Sequence, residues 1–126
     1  KTATSFPWLR SAAAQVGLIF GDEAMWREAV DGPFGIRQQV AEGITSDYLW
    51  FEQSLGYNQL VVDALQSLFV TAGLFGRAEK LAHEMAVVEN LMLAPLYLRF
   101  PTGQLPNPSD AKGLQFAPDR ALFARL

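Results

Sequence analysis

The sequence predicts an all-α protein of consecutive helices joined by short connections. Two observations predict the helices. Apolar residues recur at helical spacing, as in Leu60, Val61, Leu65, Leu68 and Phe69, and again in Leu81, Met85, Val88, Met92 and Pro95. Glycines, prolines and capping residues punctuate these runs at their ends. A third observation excludes a sheet: the bulky run Tyr48, Leu49, Trp50, Phe51 has no second alternating run to pair with. Helices connected this closely lie antiparallel to their neighbours.

The first helix is expected over residues 6–20. Ser5 is its N-cap, Pro7 suits the first turn and Gly21 ends it. Trp8, Ala12, Val16 and Ile19 fall on one face, and the small residues Ala12, Ala13, Ala14 and Gly17 allow close approach of a neighbour. Asp22 caps a short helix over 23–30, stopped by Gly32, with acids at its start where the helix dipole favours them. Pro33 opens a third over 34–42, closed by Gly43. Residues 44–54 break the pattern. Thr45, Ser46 and Asp47 are turn formers, and the bulky run leads into Glu52, Gln53 and Ser54, so an extended loop feeding a helix start is predicted. A long helix follows over 55–72, ended by Gly73. Gly76 opens another over 77–98, with Glu79, Lys80, Glu84 and Glu89 mostly off its apolar face and Pro95 placed to kink or end it. Residues 99–113, rich in proline and glycine, read as a loop, and a last helix begins near Pro118-Asp119.

At 126 residues the chain makes at most one ordinary domain, and 50% hydrophobic with 18% charged residues is a folding composition. A net charge of −3 and a pI near 5.0 argue against a nucleic-acid partner, which needs a basic face. With no cysteine there are no disulfides or thiolate sites, and with His83 as the one histidine a multi-histidine metal site lacks ligands. Neither a GxxxxGK phosphate loop nor an HExxH metal motif occurs, and no metal or cofactor is expected. No apolar stretch reaches the roughly 18–20 residues of a membrane span. The chain opens at Lys1-Thr2-Ala3 and stops at Ala124-Arg125-Leu126 inside a predicted helix, and is read as part of a longer protein.

One segment stands apart: Asp47-Tyr48-Leu49-Trp50-Phe51-Glu52-Gln53-Ser54-Leu55-Gly56-Tyr57-Asn58. It gathers aromatics, acids and amides at a turn that feeds a helix. A sugar ring asks for such stacking faces and hydrogen-bond partners. Core packing at a loop–helix junction explains the same composition.

The segment resembles the helical domain of the heparinase II/III-like and alginate lyase-type polysaccharide lyases, whose motif is close to D-G-x-W-[FY]-E-G-S-x-x-Y-[HQ]. Upstream, Gly21-Asp22-Glu23 and Gly32-Pro33-Phe34-Gly35 resemble that family's punctuation. Downstream, so do Ala94-Pro95-Leu96-Tyr97, Phe100-Pro101-Thr102-Gly103, Leu105-Pro106 and Ser109-Asp110. The resemblance covers nearly the whole chain in order. It departs at Tyr48 and Gln53, where the family motif carries glycine, and at Asn58, where it carries His or Gln. A family Asn or Asn-His pair preceding the position of Trp8 is matched only by Thr2-Ala3-Thr4-Ser5. These departures bear on activity more than on fold.

The resemblance implies part of an α/α toroid of antiparallel helix hairpins, with a C-terminal β-sandwich domain outside this chain, and cleavage of uronic-acid polysaccharides by β-elimination. The C5 proton lies beside a carboxylate whose charge resists carbanion formation, so donors must neutralise it. A base then takes the proton and an acid protonates the leaving oxygen. The family tyrosine maps onto Tyr57, as base or acid; with a reference pKa of about 10, it needs donors or positive charge nearby to act as a base. Asn58 is a candidate to orient substrate, Trp50 to stack on a sugar or fill the core, and Glu52 to line the site or anchor the loop. Asp110 either lines the same cleft or caps a turn. Arg10, Arg37 and Arg99 are the basic residues to follow, and His83 is expected to be a solvated or hydrogen-bonded helix residue. The implied partners are a uronate polysaccharide and the remainder of the chain, with self-association through unpartnered helix faces. The implied location is periplasmic or secreted, with the cytoplasm as the alternative. The competing reading is a non-catalytic helical carbohydrate-binding or structural module that keeps the lyase fold.

Overall fold

The computed structural model describes residues 5–106; the predicted final helix and Asp110 lie outside the described residues. Within them the chain is mostly helical, 72%, with no strand, as an all-α protein should be. The helices are α1 (Ser5–Phe20), α2 (Glu23–Asp31), α3 (Ile36–Gly43), α4 (Leu55–Leu74) and α5 (Ala82–Leu98), with a 3₁₀ turn, Ala78–Leu81, ahead of α5.

Helix α1 ends where expected but begins one residue earlier, with Ser5 inside it rather than at the N-cap, and it does not have its expected orientation. Pro7, Ser11, Ala14 and Leu18 face inward, whereas Trp8, Ala12, Val16 and Ile19 are exposed, Ile19 to 56%. Both sides of the helix are apolar, so periodicity alone offers two stripes. The neighbours select the side with the smaller residues. There α2 comes so close that a Cβ on Gly17 would lie 2.8 Å from the Trp26 backbone nitrogen.

Asp22 caps α2, its Oδ1 accepting from the Met25 N–H at 3.0 Å. Helix α3 starts two residues later than expected, because Phe34 adopts a left-handed φ of 56° after Pro33 and Gly35 becomes the N-cap. Helix α4 runs through Gly73 to Leu74, and Val61, Leu65, Leu68 and Phe69 are buried as expected; Leu60 is not. The segment expected as one helix from residue 77 is instead the 3₁₀ turn and α5, which continues past Pro95 to Leu98. Its predicted face is right, since Leu81, Val88, Met92 and Pro95 are buried and Met85 packs against the core. Glu84 is also buried, contrary to expectation.

Side-chain bonds give the helix directions. Arg10 reaches Glu28 and the Pro33 carbonyl while Gly17 meets Trp26, so α1 and α2 are antiparallel. Ser11 donates to the Ala64 carbonyl at 2.6 Å and Gln15 to Ser67 Oγ at 3.1 Å, so α1 and α4 run the same way. Arg37 donates to the Lys80 carbonyl and pairs with Glu84, and further along Val40 and Ile44 share a groove with His83 and Val87. Helices α3 and α5 therefore also run parallel. One core joins them, with Trp26, Ile36, Trp50, Leu65, Leu68, Leu81 and Leu91 among its buried members. Each such fully buried large side chain contributes about 1.5–3 kcal/mol through lost apolar hydration.

Candidate functional site

The loop between α3 and α4 is held at three levels. Its backbone closes on itself: Ile44 and Trp50 form an isolated antiparallel bridge, the Thr45 N–H donates to the Leu49 carbonyl at 2.8 Å, and the Phe51 N–H to the Gly43 carbonyl at 2.8 Å. Gly43 lies directly under the Trp50 ring, with no room for a Cβ. Finally, Asn58 in the first turn of α4 reaches back into the loop. Its Oδ1 accepts from the Trp50 N–H at 2.8 Å, and its Nδ2 donates to the Tyr48 carbonyl at 3.4 Å.

The structure brings Trp50, Glu52 and Asn58 together. Trp50 is 1% exposed, stacks at a tilt on Phe51, and donates its indole N–H to Glu52 Oε2 at 2.8 Å. A ring so covered has no face left for a sugar, and Asn58, also 1% exposed, has its amide committed to the loop. Both act as anchors here, for the plain reason that a buried amide and indole must find partners inside. Glu52 is half-buried and serves the same loop. Tyr57 adjoins this clamp on α4; it is half-buried and packed against the core. Successive helical residues point about 100° apart, so Tyr57 does not share the direction of Asn58.

Tyr48 projects from the loop, exposed, with a left-handed φ of 55°. With Thr45, Ser46 and the exposed His83 it borders an open groove of about 520 Å³ whose floor is apolar. His83 gives no signal of this in the sequence, since the loop reaches it only through the packing of α3 on α5.

The basic residues are largely committed to structure. Arg10 holds the α2–α3 turn, and Arg37 bridges Asp31, Glu84 and the Lys80 carbonyl. Arg99 is exposed. Asp22 and Glu23 are structural: Asp22 caps, and Glu23 pairs with Arg77 at 2.8 Å, whose hydrogen bond holds the Glu23 carboxyl below its ordinary range. Among the described residues no group of three or more His, Asp or Glu is placed to hold a metal ion, and no helix is long and apolar enough to cross a membrane.

Comparison with known proteins finds no matching family model, no matching curated protein and no matching solved structure.

Proposed function

We propose that this chain is part of the helical wall of a polysaccharide lyase that cuts uronate polysaccharide by β-elimination, with Tyr57 as its proton-transfer group. One observation carries the reading. Tyr48 and Gln53 occupy the two positions where the lyase motif has glycine, and both hold left-handed backbone, φ 55° and 57°. Left-handed φ is what glycine adopts freely and a residue with a Cβ resists. Phe34 is the third such non-glycine residue described, in the Pro33 turn. The loop thus follows a path that suits the motif's glycines although the glycines themselves are replaced. The parallel pairs α1/α4 and α3/α5 also suit hairpins stacked side by side, as in an α/α toroid.

In this reading Tyr57 exchanges a proton with C5 or with the leaving oxygen. Arg10 and Arg37 are engaged, so donors that neutralise the uronate carboxylate come from the exposed Arg99 or from outside residues 5–106. A β-sandwich domain supplies the opposite wall, and the protein acts in the periplasm or outside the cell.

A second reading has support of its own. Trp50 and Asn58 serve the loop's stability, which suits a non-catalytic helical module that keeps the lyase fold and binds carbohydrate or serves structure. The full-length gene product carrying Tyr57→Phe decides between them. The lyase reading expects formation of unsaturated uronate from alginate or heparan sulfate, followed by ultraviolet absorbance, to fall about 10²–10⁴-fold. Unchanged turnover removes Tyr57 from its role. The 126-residue chain alone is expected to form no product.

A further inference from the structure

Helix α1 is covered on its inner side, where Gly17 meets Trp26 of α2 and Ser11 donates to the Ala64 carbonyl of α4. Its outer side carries Trp8, Leu9, Ala12, Val16, Ile19 and Phe20, all exposed and all apolar. At about 100° per residue these six fall within an arc of about 120°. The polar side chains Arg10 and Gln15 lie outside that arc and are occupied. Arg10 pairs with Glu28 and donates to the Pro33 carbonyl, and Gln15 bonds Ser11, Ser67 and Thr71. Exposures in the stripe run from 41% for Val16 to 80% for Phe20, so with side chains of about 200 Å² it offers roughly 600 Å² of apolar surface. Apolar patches of that size mark contact surfaces. Two copies face to face bury about 1,200 Å² in all, above the roughly 1,000 Å² that a specific interface needs.

Spacing decides what covers the stripe. Leu9, Ala12, Val16 and Ile19 follow one another at steps of three, four and three, the a/d alternation of a coiled-coil seam. Their sizes also read alike from both ends. In two antiparallel copies of α1, related by a two-fold axis level with Ala14, Leu9 stands opposite Ile19 of the second copy and Ala12 opposite Val16. Trp8 and Phe20 then close each end. A parallel pair would set Ala12 on Ala12 and leave that layer underfilled. A lipid surface asks for free lysines or arginines beside the stripe, and Arg10, the one cation of α1, is engaged. We propose that the stripe is a homodimer interface in which α1 of one copy packs antiparallel on α1 of another along the seam Leu9, Ala12, Val16 and Ile19.

Sedimentation equilibrium of the 126-residue chain tests this. A mass of two chains is expected, with a dissociation constant in the micromolar range. Ile19→Lys, at a position exposed in the single chain, is expected to weaken the dimer about 10²–10³-fold, because each copy loses an isoleucine from the seam. The chain has no cysteine, so Leu9→Cys and Ile19→Cys variants, mixed and mildly oxidised, report the direction. Cross-links are expected between position 9 and position 19. Links of 9 to 9 and 19 to 19 instead, a parent that stays monomeric or assembles beyond two chains, or an Ile19→Lys variant that dimerises as the parent does overturn the proposal. A monomer that Ile19→Lys destabilises to urea also overturns it and gives the face to the chain's own residues. So does a monomer taken up by anionic phospholipid vesicles, which gives the face to lipid. Tyr57 lies on α4 and only mass and cross-links are read, so neither result bears on the lyase reading.

Discussion

Gln53→Gly should make this protein more stable, which is unusual for a change that deletes a side chain. Gln53 is exposed and holds φ at 57°, while its N–H donates to the Trp50 carbonyl at 2.8 Å. A Cβ in that conformation costs about 1–2 kcal/mol. Glycine removes this cost but adds about 0.5–1 kcal/mol of unfolded-chain entropy. Little packing is lost, so the net gain is about 0.5–1 kcal/mol. Gln53→Ala retains the Cβ and the strain, and should match the parent within about 0.5 kcal/mol. Urea unfolding followed by tryptophan fluorescence measures both, and an unchanged denaturant slope shows that the gain is one of stability. A glycine variant less stable than the alanine variant refutes the argument, and with it the reason given for reading the loop as a degenerate lyase motif.

Other outcomes follow from the same geometry. Asn58→Ala leaves the buried Trp50 N–H without its acceptor and frees the Tyr48 carbonyl, so unfolding free energy should fall by about 2–4 kcal/mol with a red shift of Trp50 emission; a loss under about 0.5 kcal/mol contradicts the clamp. Glu23 has its carboxyl held below the ordinary value of 4.5, first by the Arg77 hydrogen bond, with desolvation opposing and the charges of Arg77, Lys80 and Arg27 adding. A depressed carboxyl stabilises fully above its unfolded value and loses that contribution as pH falls through the folded one. Arg77→Gln should therefore flatten the acid limb of stability below pH 4.5, and parallel pH profiles for parent and variant would rule the pairing out. The exposed stripe of Trp8, Val16, Ile19 and Phe20 on α1 should drive self-association at high concentration, with a second copy as occupant. Light scattering should report a lower mass for Ile19→Lys, and a monomeric parent at every concentration dismisses the idea.

Much of the fold was legible residue by residue, where a local cause sufficed. Asp22 before Glu23 announces a capped helix, and a side-chain oxygen there has an N–H waiting three residues on. The face of α5 was legible because its large apolar residues stand on one side at helical spacing. The same reasoning failed for α1, where both sides are apolar and only the closeness of α2 at Gly17 decides which turns inward. It failed also for Glu84, whose burial depends on Arg37, 47 residues away.

The candidate site divides in the same way. The sequence by itself determined that residues 44–54 form a loop feeding a helix, and that Tyr57 stands in that helix's first turn, because turn chemistry and helix starts are local. Tertiary structure alone decided that Trp50 is sealed, that Asn58 reaches back to hold the loop, and that Tyr48 and Gln53 carry left-handed backbone. It alone also left Gln66 Nε2 buried with no acceptor among the described residues. Burial and hydrogen-bond satisfaction belong to the arrangement of distant segments, and no local pattern of residues carries them.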